Sequence, residues 1–310
     1  MRKNIGPIRS GISHFHHQYG ATAKKSHKFR NIVTSIALIG LSVFGIKTQI
    51  VPIIASTTIR HQAVEAISPQ VNAQKTDASI PTISDLPKQD KALERSISKV
   101  VATFPKEQKW SVYVQDLESN RAANVNADRP YESASLYKLF LLAPLESKMS
   151  ADKWSYHIGN TNIKDCVNLM LRISDNDCAK SIAYIANWNY VDQFNKGLGY
   201  NKTTVSGVPQ TTASEVGDLL INLKRGKLLS DKARRMVFDA LYAQKFTDGL
   251  PSGCSNCRTA NKTGQTEKVT HDAGIITHGQ RSYVLVVMSE GGNFSQIAQI
   301  TRVVEEELNP

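Results

Sequence analysis

The first thirty residues contain no aspartate or glutamate, yet they hold seven lysines and arginines, a net of +7. Residues 31–90 balance four basic against four acidic side chains, and residues 91–310 carry 27 against 23, a net of +4. The overall +11 is therefore mostly the property of one segment. This is not the even basic face of a nucleic-acid-binding domain, and no nucleic acid is expected as a partner. The chain also lacks an apolar run of about 20 residues, the length that crosses a hydrocarbon core. Its longest candidate, residues 32–46, has fifteen and is followed by Lys47. Internal repeats are absent, aromatic residues make up only 7%, and there are four cysteines.

A basic segment that runs straight into an apolar one fits the positive-inside pattern. Residues 1–30 read as a basic cytoplasmic tail. Residues 31–54 read as a signal anchor, with Lys47 snorkelling, or as a signal peptide cut near Ala55. No convincing A-x-A site is present, which favours the anchor. Residues 55–87, rich in Ser, Thr, Ala, Gln and Pro, read as a flexible linker. Residues 88–310 read as the folded domain, placed by either signal outside the cytoplasm, at the cell membrane or secreted. The histidines of the tail, His14, His16, His17 and His27, have no fold to fix metal geometry, and neither a metal nor a cofactor is expected.

Outside the cytoplasm an even cysteine count suggests disulfides. Cys254 with Cys257 is the simplest pairing, leaving Cys166 for Cys178. On one straight helix the latter two would lie about 18 Å apart, so they pair only if the chain turns between them. A four-cysteine zinc site is the rival, but only one of the two pairs has the close spacing such sites use.

Periodicity predicts an amphipathic helix carrying Leu93, Ile97, Val100, Val101 and Phe104. A strand is expected over 110–117, a turn at Glu118–Asn120 and a returning strand over 121–125. An apolar helix is expected over 135–149, with Pro144 to kink or end it. Helices broken around 174–176 should fill 151–195. Thr212 and Glu215 predict a capping box, and 231–244 a further helix. Strands are expected at 258–264, 270–277 and 282–289, and a last helix over 294–308. The expected fold class is α+β: an antiparallel sheet from both ends of the domain, covered by terminal helices, beside an all-helical lobe, with the active site in the cleft.

Three motifs carry chemistry. A Ser-x-x-Lys pair places an amine one helical turn from a hydroxyl, where the amine can take its proton. The chain has three copies, Ser96–Lys99, Ser135–Lys138 and Ser150–Lys153. Only Ser135–Lys138 opens a strongly apolar helix, with Leu136, Leu139 and Phe140, where burial lowers a lysine pKa. The second motif is Ser174-Asp175-Asn176 in the helical middle. The third is Lys262-Thr263-Gly264 on a late strand.

This order resembles the penicilloyl-serine enzymes, above all class A β-lactamases and the low-molecular-mass penicillin-binding proteins. The strand pair leading into YESASLYK, the Thr211-Thr212 helix start and the hairpin HDAGIITHGQRSYVLVV are similar too. The resemblance implies a β-lactamase/DD-peptidase-like fold with Ser135 as acylated nucleophile, Lys138 as base or relay and Ser174 as proton donor to the leaving nitrogen. It further implies that Asn176 binds the substrate's side-chain amide and that Lys262 and Thr263, with Gly264, bind its carboxylate. The N–H groups of Ser135 and Gln265 would form the oxyanion hole. The implied substrate is a β-lactam or a peptidoglycan stem peptide. The sequence departs from class A in one respect: residues 193–214 contain no Asp or Glu. The carboxylate that would activate the deacylating water is missing, so acylation is expected to be fast and release slow. His271–Asp272 reads as structural, because Lys138 already supplies a base.

Overall fold

The computed structural model describes residues 86–149 and 153–309. The proposed tail, anchor and most of the linker lie outside these residues. Among the described residues, no helix is long and apolar enough to cross a membrane.

In chain order the elements are β1 Lys88–Gln89, α1 Lys91–Val101, β2 Lys109–Asp116, β3 Arg121–Val125, β4 Tyr131–Glu132 and a 3-10 helix Ala134–Leu141. There follow α2 Leu142–Ser147, β5 His157–Ile158, β6 Thr161–Asn162, α3 Ile163–Arg172, α4 Asn176–Ala186, α5 Trp188–Gly197 and β7 Gln210–Thr211. The last group is α6 Ala213–Lys224, α7 Asp231–Tyr242, β8 Arg258–Gln265, β9 Val269–His278, β10 Arg281–Glu290 and α8 Phe294–Leu308. The main sheet runs β1-β3-β2-β10-β9-β8, and its pairs are antiparallel except β1 with β3.

The alternating strand β10 shows why the sheet is covered twice. Tyr283, Leu285 and Val287 join α1 and α8 in one core, with Leu93, Ile97, Ile300 and Val304. Val284, Val286 and Met288 join the helical lobe in the other. A strand buried on both faces reads as a continuous apolar run, which is what VLVVM is. The terminal helices also touch across the domain, where the Ser96 hydroxyl donates to Glu307 at 2.6 Å. This Ser-x-x-Lys copy is therefore surface structure.

Three expectations need correction. The helix expected over 135–149 begins within a 3-10 helix, Ala134–Leu141, and turns α-helical only at Leu142. Pro144 falls inside this helical run, the Phe140 carbonyl that its missing N–H would have bonded accepts from Asn195 Nδ2 at 3.2 Å instead, and α2 ends soon after, at Ser147. The Thr212 capping box is half-formed. The Thr212 hydroxyl accepts from Glu215 N at 3.2 Å, but the Glu215 carboxylate is engaged elsewhere. The first helix, capped by Asp90, which accepts from the N–H groups of Ala92 and Leu93, ends at Val101, so Phe104 lies beyond it.

Both cysteine pairs are bonded as Cys166–Cys178 and Cys254–Cys257. The chain does turn between Cys166 on α3 and Cys178 on α4, bringing their Cα atoms to 5.0 Å.

Candidate active site

The site begins at a tight turn. Ala134 has φ 44°, a left-handed conformation that costs an L-residue about 1–3 kcal/mol. The 3-10 helix that follows has three residues per turn, so side chains at i and i+3 eclipse. Ser135 and Lys138 are such a pair. Leu136, Leu139, Phe140 and Leu141 are fully buried around Lys138, which is itself 0% exposed. Its ammonium donates to Ser174 O at 2.5 Å, Ser174 Oγ at 3.2 Å and Asn176 Oδ1 at 2.7 Å. These acceptors match the three donors of a protonated lysine, and none of them is Ser135.

Ser174 stands in the break between α3 and α4, with φ 60°. Asp175 caps α4 by accepting from Cys178 N at 2.8 Å, and the Cys166–Cys178 bridge ties the helices on either side. Lys262 on β8 reaches the same hydroxyl from the opposite wall, with Nζ 2.9 Å from Ser174 Oγ and 2.7 Å from Thr263 O. Two ammonium groups thus share one hydroxyl oxygen. Both of its lone pairs are taken, so its own proton must point away from the lysines.

Burial without a carboxylate contact makes this pair of amines poor proton holders. Desolvation drives Lys138 down to about 8, partly offset by the Asp175 carboxylate. Lys262 is driven down to about 7, by burial and by the Lys138 charge.

Gly264 fixes the spacing of the two walls. A Cβ there would lie 3.0 Å from Ser133 O and 3.2 Å from Ser135 N. Only a residue without a side chain lets β8 pass so close to the backbone of Ser135. Above it opens a cavity of about 280 Å³ lined by Ser135, Ser174, Asn176, Thr263 and Gln265. The structure therefore brings the three motifs together. Lys138 and Lys262 lie buried beneath the cavity, bonded to Ser174. The cavity wall also includes Ile173, Phe246 and Phe294. These three were not singled out from the sequence: Ile173 follows α3, Phe246 lies in the connection after α7 and Phe294 opens α8, and only folding brings them to one rim.

Among the described residues, no carboxylate lines this cavity. The two acids that flank the acid-free segment are occupied. Asp192 accepts from Val205 N at 2.6 Å and from the Ser206 hydroxyl. Glu215 accepts from Lys202 N at 2.8 Å and Thr203 Oγ1 at 2.5 Å. Both hold the 199–210 connection in shape. His271 and Asp272 are also structural. Ser289 N–H donates to His271 Nδ1 at 3.1 Å, so Nε2 carries the proton and donates to Glu132 O at 2.8 Å. Asp272 is fully buried, pushed up to about 7, and accepts from Asn261 and Leu250 N.

The family model described as the Beta-lactamase enzyme family matches residues 92–158 and 156–308, most of the chain. The chain belongs to the Beta-lactamase enzyme family. Solved structures agree on the fold. PBP-A superposes with a TM-score of 0.65 at 20% identity, covering 72% of this chain and 98% of its own. The β-lactamase from Streptomyces albus G gives 0.64 at 18%, over 70% and 99%. The β-lactamase from Chitinophaga pinensis gives 0.62 at 17%, over 70% and 100%. No curated protein sequence matches. At these identities the β-lactamase-family members show a shared architecture, with the expected sheet, terminal helices and helical lobe.

Proposed function

We propose that the chain is a serine hydrolase that acylates Ser135 by opening a β-lactam amide, and that it releases the acyl group slowly. The observation that carries this reading is the Ser174 hydroxyl held between two depressed-pKa lysines at the base of the Ser135 cavity.

The steps follow from the groups present. Loss of one proton from the lysine pair leaves Lys138 with two N–H donors and a lone pair. That lone pair can accept the Ser135 proton as Oγ attacks the amide carbon. The N–H groups of Ser135 and Gln265 receive the developing oxyanion. The substrate carboxylate, bound by Lys262 and Thr263, raises the Lys262 pKa and keeps that proton in place, so the anion's arrival sorts the two lysines into base and cation. Ser174, whose proton points away from both amines, passes it to the leaving nitrogen, and is reprotonated from Lys138. Asn176 holds the substrate's side-chain amide, and Phe246 and Phe294 supply apolar contact at the rim.

Hydrolysis of the ester then needs an activated water. With Asp192 and Glu215 bonded into the loop and no carboxylate at the cavity among the described residues, that step has no dedicated base there. The same deficit supports a second reading, a penicillin-binding D,D-peptidase acting on D-Ala-D-Ala peptidoglycan stems, which differs from a lactamase in how the acyl group is released. A variant of PBP-A has been solved as an acyl-enzyme complex with penicillin G, and we expect the same adduct here. A cell-wall or β-lactam binder without turnover is the reading from a different class. We also propose that the domain works outside the cytoplasm, tethered through residues 31–54 as a signal anchor or secreted after signal cleavage; the two disulfides support export. Intact-mass spectrometry after mixing with penicillin tests the chemistry. A one-to-one adduct on Ser135 that persists for minutes is expected. Absence of any adduct sinks the enzyme reading, and many rapid turnovers sink the slow-release reading.

A further inference from the structure

At the far end of β8 from the Ser135 cavity, four side chains with metal-binding atoms converge. Cys254 and Cys257 precede the strand, His278 ends β9, and Glu305 lies on α8. One sulfur, ring-nitrogen or carboxylate-oxygen atom from each lies within 4.8 Å of all the others. Tetrahedral zinc, with bonds of about 2.0–2.3 Å, places its ligand atoms about 3.3–3.8 Å apart, inside that bound. The C-x2-C spacing is the one zinc sites use, and Asn256 between the cysteines has φ 63°, which curls the chain so that both sulfurs face one point.

A bond between Cys254 and Cys257 closes a loop with a sequence separation of 3, and restricts the unfolded chain little. It also gives no reason for an imidazole and a carboxylate from distant elements to stand at the same sulfurs. The carboxylate is itself positioned as a metal ligand's would be. Glu305 Oε2 accepts from the Tyr283 hydroxyl, and Oε1 accepts from Asn309 Nδ2 at 2.8 Å. His278 Nδ1 meets Glu305 Oε1 directly, the contact an ion would enter.

We propose that the dithiol form of this chain binds one zinc-class divalent ion through Cys254, Cys257, His278 and Glu305. Binding displaces the two thiol protons and moves no electrons. An oxidant of the disulfide class, which takes two electrons and two protons, gives the bonded pair instead. The two sulfurs cannot do both, so the site records which arrived first. Four protein ligands leave no open position, which marks a structural ion. It would lock the start of β8 to the β9–β10 hairpin and to α8.

The test uses the full chain prepared with a phosphine reductant, thiol content checked by labelling, then dialysed against zinc or cobalt(II). About one equivalent of metal is expected, and cobalt should give a thiolate charge-transfer band with the intense visible bands of a tetrahedral centre. His278→Ala, at a half-exposed residue, should weaken zinc binding about 100-fold, and Tyr283→Phe about tenfold. Penicillin acylation of Ser135 should survive both changes, which separates failure here from failure of the hydrolase reading. Less than a tenth of an equivalent of zinc in protein with free Cys254 and Cys257 thiols overturns the proposal. So does unchanged cobalt binding in His278→Ala.

Discussion

Replacing Gly264 with alanine perturbs the spacing between β8 and the nucleophile and little else. The backbone at this position does not require glycine, because its φ lies outside the left-handed region. Only the space does. The added Cβ meets Ser133 O at 3.0 Å, Ala134 Cβ at 3.2 Å and Ser135 N at 3.2 Å, against an ordinary contact of 3.4 Å or more. The obstacles are backbone atoms and a methyl, which have no rotamer to move into. The walls must part by about 0.4 Å, the difference between 3.4 and 3.0 Å. Overpacking of this kind costs about 1–3 kcal/mol, and the stiffer unfolded chain returns about 0.4–1 kcal/mol. Net destabilisation should therefore be about 0.5–2 kcal/mol, too little to unfold the domain. The effect on chemistry should be larger in proportion. Removing an oxyanion donor costs about 100–1,000-fold, so displacing one should slow acylation about 10–100-fold. Stopped-flow acylation with a chromogenic β-lactam, alongside denaturant unfolding, reads both. Acylation within twofold of the parent, at the expected loss of stability, would refute the claim that β8 sets the position of the Ser135 N–H.

Ser135→Ala should abolish the penicillin adduct while leaving the unfolding midpoint nearly unchanged, as judged by intact mass and circular dichroism. In the parent chain acylation should speed up as pH rises through about 7 to 8, because Lys138 becomes a base only on losing its proton; Lys138→Met should lower the rate about 100–10,000-fold and flatten that limb. The folded-state value of Lys138 lies below its ordinary 10.5, so the unfolded chain binds more protons between about 8 and 10.5 and the parent gains stability with rising pH there; denaturant titrations of Lys138→Met should show a smaller gain. Changing both Cys166 and Cys178 to serine opens a 12-residue link across the Ser174 turn, and should cost about 3 kcal/mol and slow acylation; an unaltered midpoint would show that the helices hold this turn without it.

The order of elements was readable because most of the signal is local. The last helix, Phe294–Leu308, matches its apolar spacing residue for residue, and the five long strands differ from their expected bounds by one residue or so, whereas the two-residue strands β5 and β6 interrupt a stretch expected to be helical. Nothing in the spacing of Ser135 and Lys138 distinguishes a 3-10 from an α-helix, since both put i and i+3 on one face. The sharing of Ser174 Oγ by two lysines 124 residues apart (262 − 138) was not legible, nor were Phe246 and Phe294 at the cavity rim. Such contacts depend on how two lobes meet, which no window of sequence records. Glu215 shows the same limit from the other side: its local role as a helix cap lost to a loop thirteen residues upstream.

The pairing of β2 with β10, and of α1 with α8, has a consequence for biogenesis. Synthesis delivers the amino-terminal strands first, but their partners β10 and α8 come much later in the chain, at Arg281–Glu290 and Phe294–Leu308. Until those emerge, Val112 and Val114 have no cover on one side and no neighbour on one edge. The amino-terminal strands of a nascent chain would therefore lack their native cover until β10 and α8 have been synthesised.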